Sequence, residues 1–365
     1  MNNAMTPFSV PVTPDWEAFR DCILRRGTPK RVHHIELFLD WEIQEAICQR
    51  YHVLDGLDVD DPTFLYQRMV RLQRLLGYDY VRQGVDEMDM PLHRITTSDT
   101  AEYQREGGRA YIDETRGPIT SWEEFEAYPW PDPTALTTRA LEWYERNLPD
   151  DMCVVGSGGF GHFAEYLTWL MGYETLCYAL YDQRDLVQAI ANRLLELYIG
   201  VLDRILTFER VKIIWGSDDM GFKTGPMISP DDLRQFVLPG HKKMAEMSHQ
   251  AGRPYLLHSC GNLFTIYEDL IEDVKIDAKH SFEDTIEDVR ELKPIYGHRM
   301  SLLGGLDVDF LCRHSEETIR ERVRSTLDIC LPGGGYCLGT GNSVANYIPL
   351  NHYLAMMDEG RKYVP

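Results

Sequence analysis

Apolar, β-branched stretches alternate along the chain with segments whose apolar residues recur three and four positions apart, the pattern of parallel strands joined by helical crossovers. Eight stretches read as strands: residues 31–38 (RVHHIELF), 78–84, 152–157, 211–217, 254–260, 274–280, 299–305 and 335–339. Eight parallel strands, each followed by a helix, close into a barrel. The pattern therefore predicts an α/β fold: a single (β/α)8 TIM-type barrel spanning residues 1–365, with an N-terminal helical extension over residues 1–30. The helices carry their own punctuation. Ser229-Pro230-Asp231-Asp232 supplies an N-cap, a proline in the first turn and acids at the positive end of the helix dipole. Pro239 should end or kink the helix so begun. Residues 263–274 place Leu263, Ile266, Tyr267, Leu270, Ile271 and Val274 on one face, and similar faces run through 185–208 and through Ile319, Val323, Leu327 and Leu331. Residues 87–133 break the alternation after the second strand. They are rich in Thr, Gly and Pro, and 110–117 reads as part of a hairpin, which predicts a lid-like insertion over the barrel mouth. The aromatic residues of 120–131, Trp122 and Trp130 among them, suit either packing of that lid or a homodimer contact.

A chain of 365 residues that is 44% hydrophobic can bury a large core without disulfide staples. Its 37 basic and 58 acidic residues give a formal charge of −21, which repels nucleic-acid backbones and anionic membrane surfaces and argues against both as partners. The eight cysteines are sparse, and several fall in apolar runs, which points to reduced thiols and a cytoplasmic location. The first residues show no secretory pattern and no run of 18 apolar residues occurs, so neither export nor membrane spanning is expected.

Candidate chemistry centres on Leu257-His258-Ser259-Cys260-Gly261-Asn262, where an imidazole and a thiol two residues apart share one face of a strand end. A second thiol, Cys337, lies in the Gly-rich segment 333–343. One His and two Cys suit Zn2+ with a fourth position open for chemistry, or filled by His280 or Glu283. The plainer reading is a buried thiol beside a histidine that bonds a carbonyl. Barrel chemistry gathers at the C-terminal ends of strands. Asp218 and Asp219 follow the fourth strand, His258 and Cys260 end the fifth, His280, Glu283 and Asp284 follow the sixth, Asp307 follows the seventh, and Tyr336 and Cys337 belong to the eighth. Asp219, Asp307 and Tyr336 are the candidate catalytic groups, to orient substrate or relay a proton, although each carboxylate could equally cap a helix.

The phrases I-S-P-D-D (228–232), L-H-S-C-G-N (257–262) and L-G-G-L-D (303–307), with the strand order and length, resemble the uroporphyrinogen decarboxylase superfamily over about residues 30–363, closest to its zinc- and cobamide-dependent methyltransferase branch. The resemblance implies zinc held by His258, Cys260 and Cys337. It also implies a corrinoid (cobamide) supplied by a partner protein or bound transiently, and methyl transfer to or from a small thiol, amine or O-methyl substrate. Zinc would keep a substrate thiol anionic. That branch places its last cysteine just before a Thr-Pro step, whereas Cys337 lies well ahead of Tyr347-Ile348-Pro349. The decarboxylase branch implies the alternative: metal-independent decarboxylation of a porphyrinogen, with a carboxylate such as Asp86 or Asp219 stabilising positive charge. The arginine-rich early segment of that branch is not found in residues 17–50.

Overall fold

The computed structural model describes residues 6–365 apart from Glu87. Seven of the eight expected strands form one parallel sheet in sequential order: β1 (Tyr80–Gln83), β2 (Cys153–Ser157), β3 (Val211–Ser217), β4 (Tyr255–His258), β5 (Ala278–His280), β6 (Ser301–Leu303) and β7 (Tyr336–Cys337). Every residue of β2, β4, β5, β6 and β7 is buried. That is why these strands read as largely apolar runs, β5 with its buried Lys279 and His280 excepted: helical crossovers cover the outer face of a parallel sheet while the curled interior fills the other.

The first expected strand, 31–38, is reduced to single parallel bridges, His34 with Leu338 and Leu39 with Val344. On its other side the Tyr80 hydroxyl accepts from the Glu36 amide (3.0 Å) and donates to the Glu36 carbonyl (3.2 Å), so a phenol stands where a paired backbone would. The sheet is thus a seven-stranded curl with a seam beside β1, not a closed eight-stranded ladder. A cavity of about 250 Å³ follows the seam, lined by Glu36, Leu39, Tyr78, Tyr80 and Arg82 among others. Burial pushes the Glu36 carboxyl up to about 8, against the bonds it accepts from Thr340.

The helix Arg184–Leu206 buries Leu186, Ile190, Leu194, Leu197, Val201 and Ile205, the face its periodicity marked. Pro239 does not stop its helix. A widened turn, Leu233–Val237, precedes Leu238–Gln250, and the Leu238 N–H reaches back five residues to Leu233 O, which makes room where a proline ring would clash with a regular turn. Residues 263–274 form a tight turn, Phe264–Ile266, and a wide one, Asp269–Val274, in place of one helix, while the expected apolar face stays buried.

In the N-terminal extension, the helix Trp16–Ile23 is capped by the Asp15 side chain. It packs under the N-terminal ends of the strands: Trp16 N–H donates to Asp151 O just before β2, and Gly335 N–H donates to Cys22 O just before β7. Within the insertion, Arg94–Thr97 and Arg109–Ile112 pair as an antiparallel hairpin; its first position, Glu87, lies outside the described residues. The connection between these strands is tied to the opposite rim, where Asn346 Nδ2 donates to Asp99 Oδ2 and Tyr103 O, both 2.7 Å, and Arg105 pairs with Glu42 at 2.8 Å. Among the described residues no helix is long and apolar enough to cross a membrane.

Candidate metal centre

β4 ends at His258, and three residues later Gly261 takes a φ of 81°. A Cβ on Gly261 would fall 2.2 Å from the carbonyl carbon of Gly221, so only glycine lets the loop after β4 lie against the loop after β3. Two backbone bonds lock these loops: Gly221 N–H to Cys260 O (3.2 Å) and Asn262 N–H to Phe222 O (2.9 Å). The contact brings Asp219 over the His-x-Cys pair. His258 Nε2 lies 3.4 Å from Cys260 Sγ and 3.4 Å from Asp219 Oδ1, and Cys260 N–H donates to that same oxygen at 2.8 Å. One ligating atom from each of the three residues lies within 4.8 Å of the other two.

The donor set fits a tetrahedral zinc ion with an open position. Bonds of about 2.0–2.3 Å to N, O and S around a tetrahedral ion leave neighbouring ligand atoms about 3.3–3.7 Å apart, and both distances from His258 Nε2 fall inside that interval. Burial, then the Asp219 charge, pushes the Cys260 thiol well above its ordinary range, so thiolate formation there calls for a cation. Asp219 behaves oppositely: burial opposes its ionisation, but the bonds from His258 and from the Cys260 N–H hold its carboxyl below the usual range.

His280 stands behind the cluster and not in it. Its Nδ1 lies 2.7 Å from His258 Nδ1, which leaves His258 Nε2 to face the other two donors. Burial, reinforced by His258 and Lys279, keeps His280 neutral. Glu283 lies close enough for its charge to act on Cys260, and it lines a cavity of about 800 Å³ with Asp307, Asn342, Ser343 and Tyr347. Burial, then Asp307 and Asp219, raises its carboxyl.

Cys337 is not brought to this cluster. As the second residue of the two-residue strand β7 it sits low in the sheet, fully buried, where its thiol pairs with Cys22 of the underlying helix. The eighth-strand contribution to the site comes five residues later: Asn342 Nδ2 donates to Cys260 Sγ at 3.2 Å, a contact that residue-type reasoning missed because an amide carries no ligand signature. Ser281 Oγ lies 4.0 Å from the same sulfur. Tyr336 is also sealed, with Cys330 and Arg322 of the helix Glu316–Cys330 as its neighbours. Asp307 takes the capping role: one oxygen accepts from Phe310 N–H and the other from Asp284 N–H, both at 2.9 Å. Asp218, next to Asp219, is wholly buried and turned the other way, toward the helix Phe163–Met171 and His241.

Two groups at the mouth carry no motif and were not anticipated. His162 Nδ1 lies 2.6 Å from Glu165 Oε2 after β2, and burial, opposed by that contact, pushes the Glu165 carboxyl up to about 7. Arg82, in β1, lines a cavity of about 650 Å³ together with Asp86, Ser157, His162 and Trp169. Asp86 accepts from Gln83 Nε2 at 3.1 Å.

Comparison with known proteins agrees with the fold. The model of the family described as uroporphyrinogen decarboxylase (URO-D) matches residues 106–363. A methylated-thiol–coenzyme M methyltransferase of Methanosarcina mazei is 29% identical over 130 residues, 35% of this chain and 32% of that protein, so the match spans about a third of the relative's length. The solved structure of a methyltransferase from Methanosarcina mazei superposes with a TM-score of 0.66 at 16% identity, covering 94% of this chain and 97% of that one, a likeness of fold.

Proposed function

The chain belongs to the uroporphyrinogen decarboxylase family, and we propose that it is a zinc-dependent methyltransferase, exchanging a methyl group between a small thiol, amine or O-methyl substrate and a corrinoid carried by a partner protein. The observation that carries this reading is the meeting of Asp219, His258 and Cys260 at the strand ends with a spacing suited to zinc. The short curated match, to a methyltransferase acting on methylated thiols, adds support. Bound zinc would supply Lewis acidity that keeps a substrate heteroatom anionic at neutral pH.

The chain's own residues do the rest. Cys260, His258 and Asp219 would hold the ion, and Asn342 would orient the Cys260 sulfur through its amide. His280 fixes the face that His258 presents. The His162–Glu165 pair, with a carboxyl near 7, would hold or release a proton at Glu165 Oε2 as the substrate loses or regains one.

The test is metal content followed by turnover. Protein purified without chelator should hold about one zinc per chain and should methylate or demethylate a free corrinoid in the presence of a small methylated substrate. A metal-free protein that consumes a porphyrinogen would replace this reading with the decarboxylase one, in which Asp86 would be the mouth carboxylate. A second expectation separates the cysteines. Cys337→Ala should retain full zinc, because its thiol faces Cys22, at a stability cost of about 1–2 kcal/mol for a small buried truncation. Loss of zinc from that variant, in folded protein, would show that the ligand set had been misassigned.

A further inference from the structure

Thr340, just past β7, has more hydrogen-bond contacts than it has hydrogens. Its N–H donates to Glu36 Oε1 at 2.9 Å, and its hydroxyl oxygen touches both Glu36 Oε2 and, at 3.0 Å, the Asn342 carbonyl oxygen. A hydroxyl carries one hydrogen and an ionised carboxylate carries none. With Glu36 ionised, either its Oε2 or the Asn342 carbonyl would go without a donor from Thr340. A proton on Glu36 Oε2 satisfies every contact: the carboxylic acid donates to Thr340 Oγ1, and the hydroxyl donates onward to Asn342 O. The surroundings agree. Both residues are buried, and burial pushes the Glu36 carboxyl up to about 8 with only the Thr340 bonds opposing it. The groups that face it stay uncharged: the phenols of Tyr78, Tyr80, Tyr336 in β7 and Tyr353 of the helix Leu350–Lys362 are all pushed up by burial, and His34, on the same segment as Glu36, is kept neutral by it. The cation of the seam cavity, Arg82, gives its Nε to Ser157 at 3.1 Å.

Thr340 and Asn342 belong to the loop that reaches the candidate metal centre from β7. Gly339 lets this loop run against the Glu36 segment, since a Cβ there would fall 1.8 Å from Ile35 O. The Thr340 hydroxyl closes the turn onto Asn342 O, and from that turn the Asn342 amide donates to Cys260 Sγ at 3.2 Å. The sulfur contact thus hangs on the direction in which one hydroxyl points. We propose that Glu36 is a positioning residue: its neutral carboxyl turns the Thr340 hydroxyl toward Asn342 O and so seats the Asn342 amide on the Cys260 sulfur. Loss of the proton reverses that hydroxyl, which then serves the carboxylate, and Asn342 is released. The consequence for methyl transfer rests on the function proposed above; the relay from Glu36 through Thr340 to Asn342 does not. A donor on a metal-bound sulfur tempers the charge that the sulfur gives the ion, so alkaline pH would alter the centre through a carboxyl remote from it.

Two titrations of the full chain test this. Infrared difference spectra between wild type and Glu36→Gln should show a carboxylic-acid C=O band that only wild type has and that it loses with a midpoint near 8. In protein loaded with Co2+ as the probe ion, the sulfur-to-cobalt absorption band should move to longer wavelength with the same midpoint. Glu36→Gln can donate to Thr340 from its amide as the acid does, so it should keep the low-pH cobalt spectrum throughout. Thr340→Val should hold the high-pH cobalt spectrum at every pH. Methyl transfer by wild type should fall about 5- to 10-fold across this step relative to Glu36→Gln, the worth of one hydrogen bond. A missing Glu36 band, or a cobalt spectrum that does not follow it, overturns the proposal. So does a Glu36→Gln that titrates like wild type; should that variant not fold, a Thr340→Val that titrates like wild type has the same force. If the protein takes up neither zinc nor cobalt, the zinc reading falls while the relay is judged on the infrared band and on Cys260 alkylation by iodoacetamide, whose rate should break at the same midpoint in wild type and not in Glu36→Gln. The two failures are therefore distinguishable.

Discussion

Cys260→Ala is expected to bring zinc content from about one per chain to near zero and to slow methyl transfer by about a thousandfold, the worth of several kcal/mol of Lewis-acid stabilisation. The thiol is the one soft donor of the cluster, and Asn342 donates to it. Without it, His258 and Asp219 remain as two donors on one side of the site, too few to hold zinc in a closed geometry. Stability should change little once metal is accounted for, because Cys260 lies beyond the end of β4 and is only half-buried. Elemental analysis of the variant, with unfolding curves of both metal-stripped proteins, checks each part. Full zinc in folded Cys260→Ala would refute the centre outright, whatever its activity.

The sheet was legible because both faces of most of its strands are buried, which writes them as largely apolar runs of the right length, although β1 ends on the half-buried Arg82 and Gln83 and β5 carries Lys279 and His280. Residues 31–38 carry the same signature, yet Tyr80 takes the hydrogen bonds of Glu36 that a neighbouring strand would take, an outcome no periodicity records. His258 and Cys260 were legible as a pair, since their spacing alone sets their common face. Cys337 misled because residue type was visible and depth was not: two residues into a short strand it lies near the bottom, beside Cys22, while the loop beyond reaches the mouth with Asn342. Asp219 was placed at the mouth, but as an orienting group; its approach to His258 depends on the Gly221–Gly261 contact between two loops far apart in sequence. Arg82, His162 and Glu165 gave no signal because their interest lies in which partners they have or lack, and partners are a property of the fold.

Asp218→Ala is expected to destabilise the protein by about 3–5 kcal/mol, the cost of removing a buried acceptor and leaving its several donors unpaired, although its neighbour Asp219 lies at the mouth. The Asp218 side chain is inaccessible and its oxygens serve three donors at 2.9 Å: the Ala164 and Glu165 amides, which open the helix Phe163–Met171, and His241 Nε2. His241 in turn meets the Tyr255 hydroxyl through Nδ1 at 3.0 Å, so the carboxylate joins a helix start, the helix Leu238–Gln250 and β4. Truncation leaves two helix-start amides and an imidazole without an acceptor in a site closed to water. Asn is no remedy, because it presents an N–H where one of those donors already points. Chemical unfolding measures the loss directly, as a lower midpoint at unchanged slope. Asp219→Ala supplies the opposite pattern, loss of zinc at near wild-type midpoint for the metal-stripped chain. If Asp218→Ala instead cost under about 1 kcal/mol, as an exposed ion pair would, the buried network would not be what holds the helix Phe163–Met171 against the sheet, and the division of labour between these adjacent carboxylates would fail.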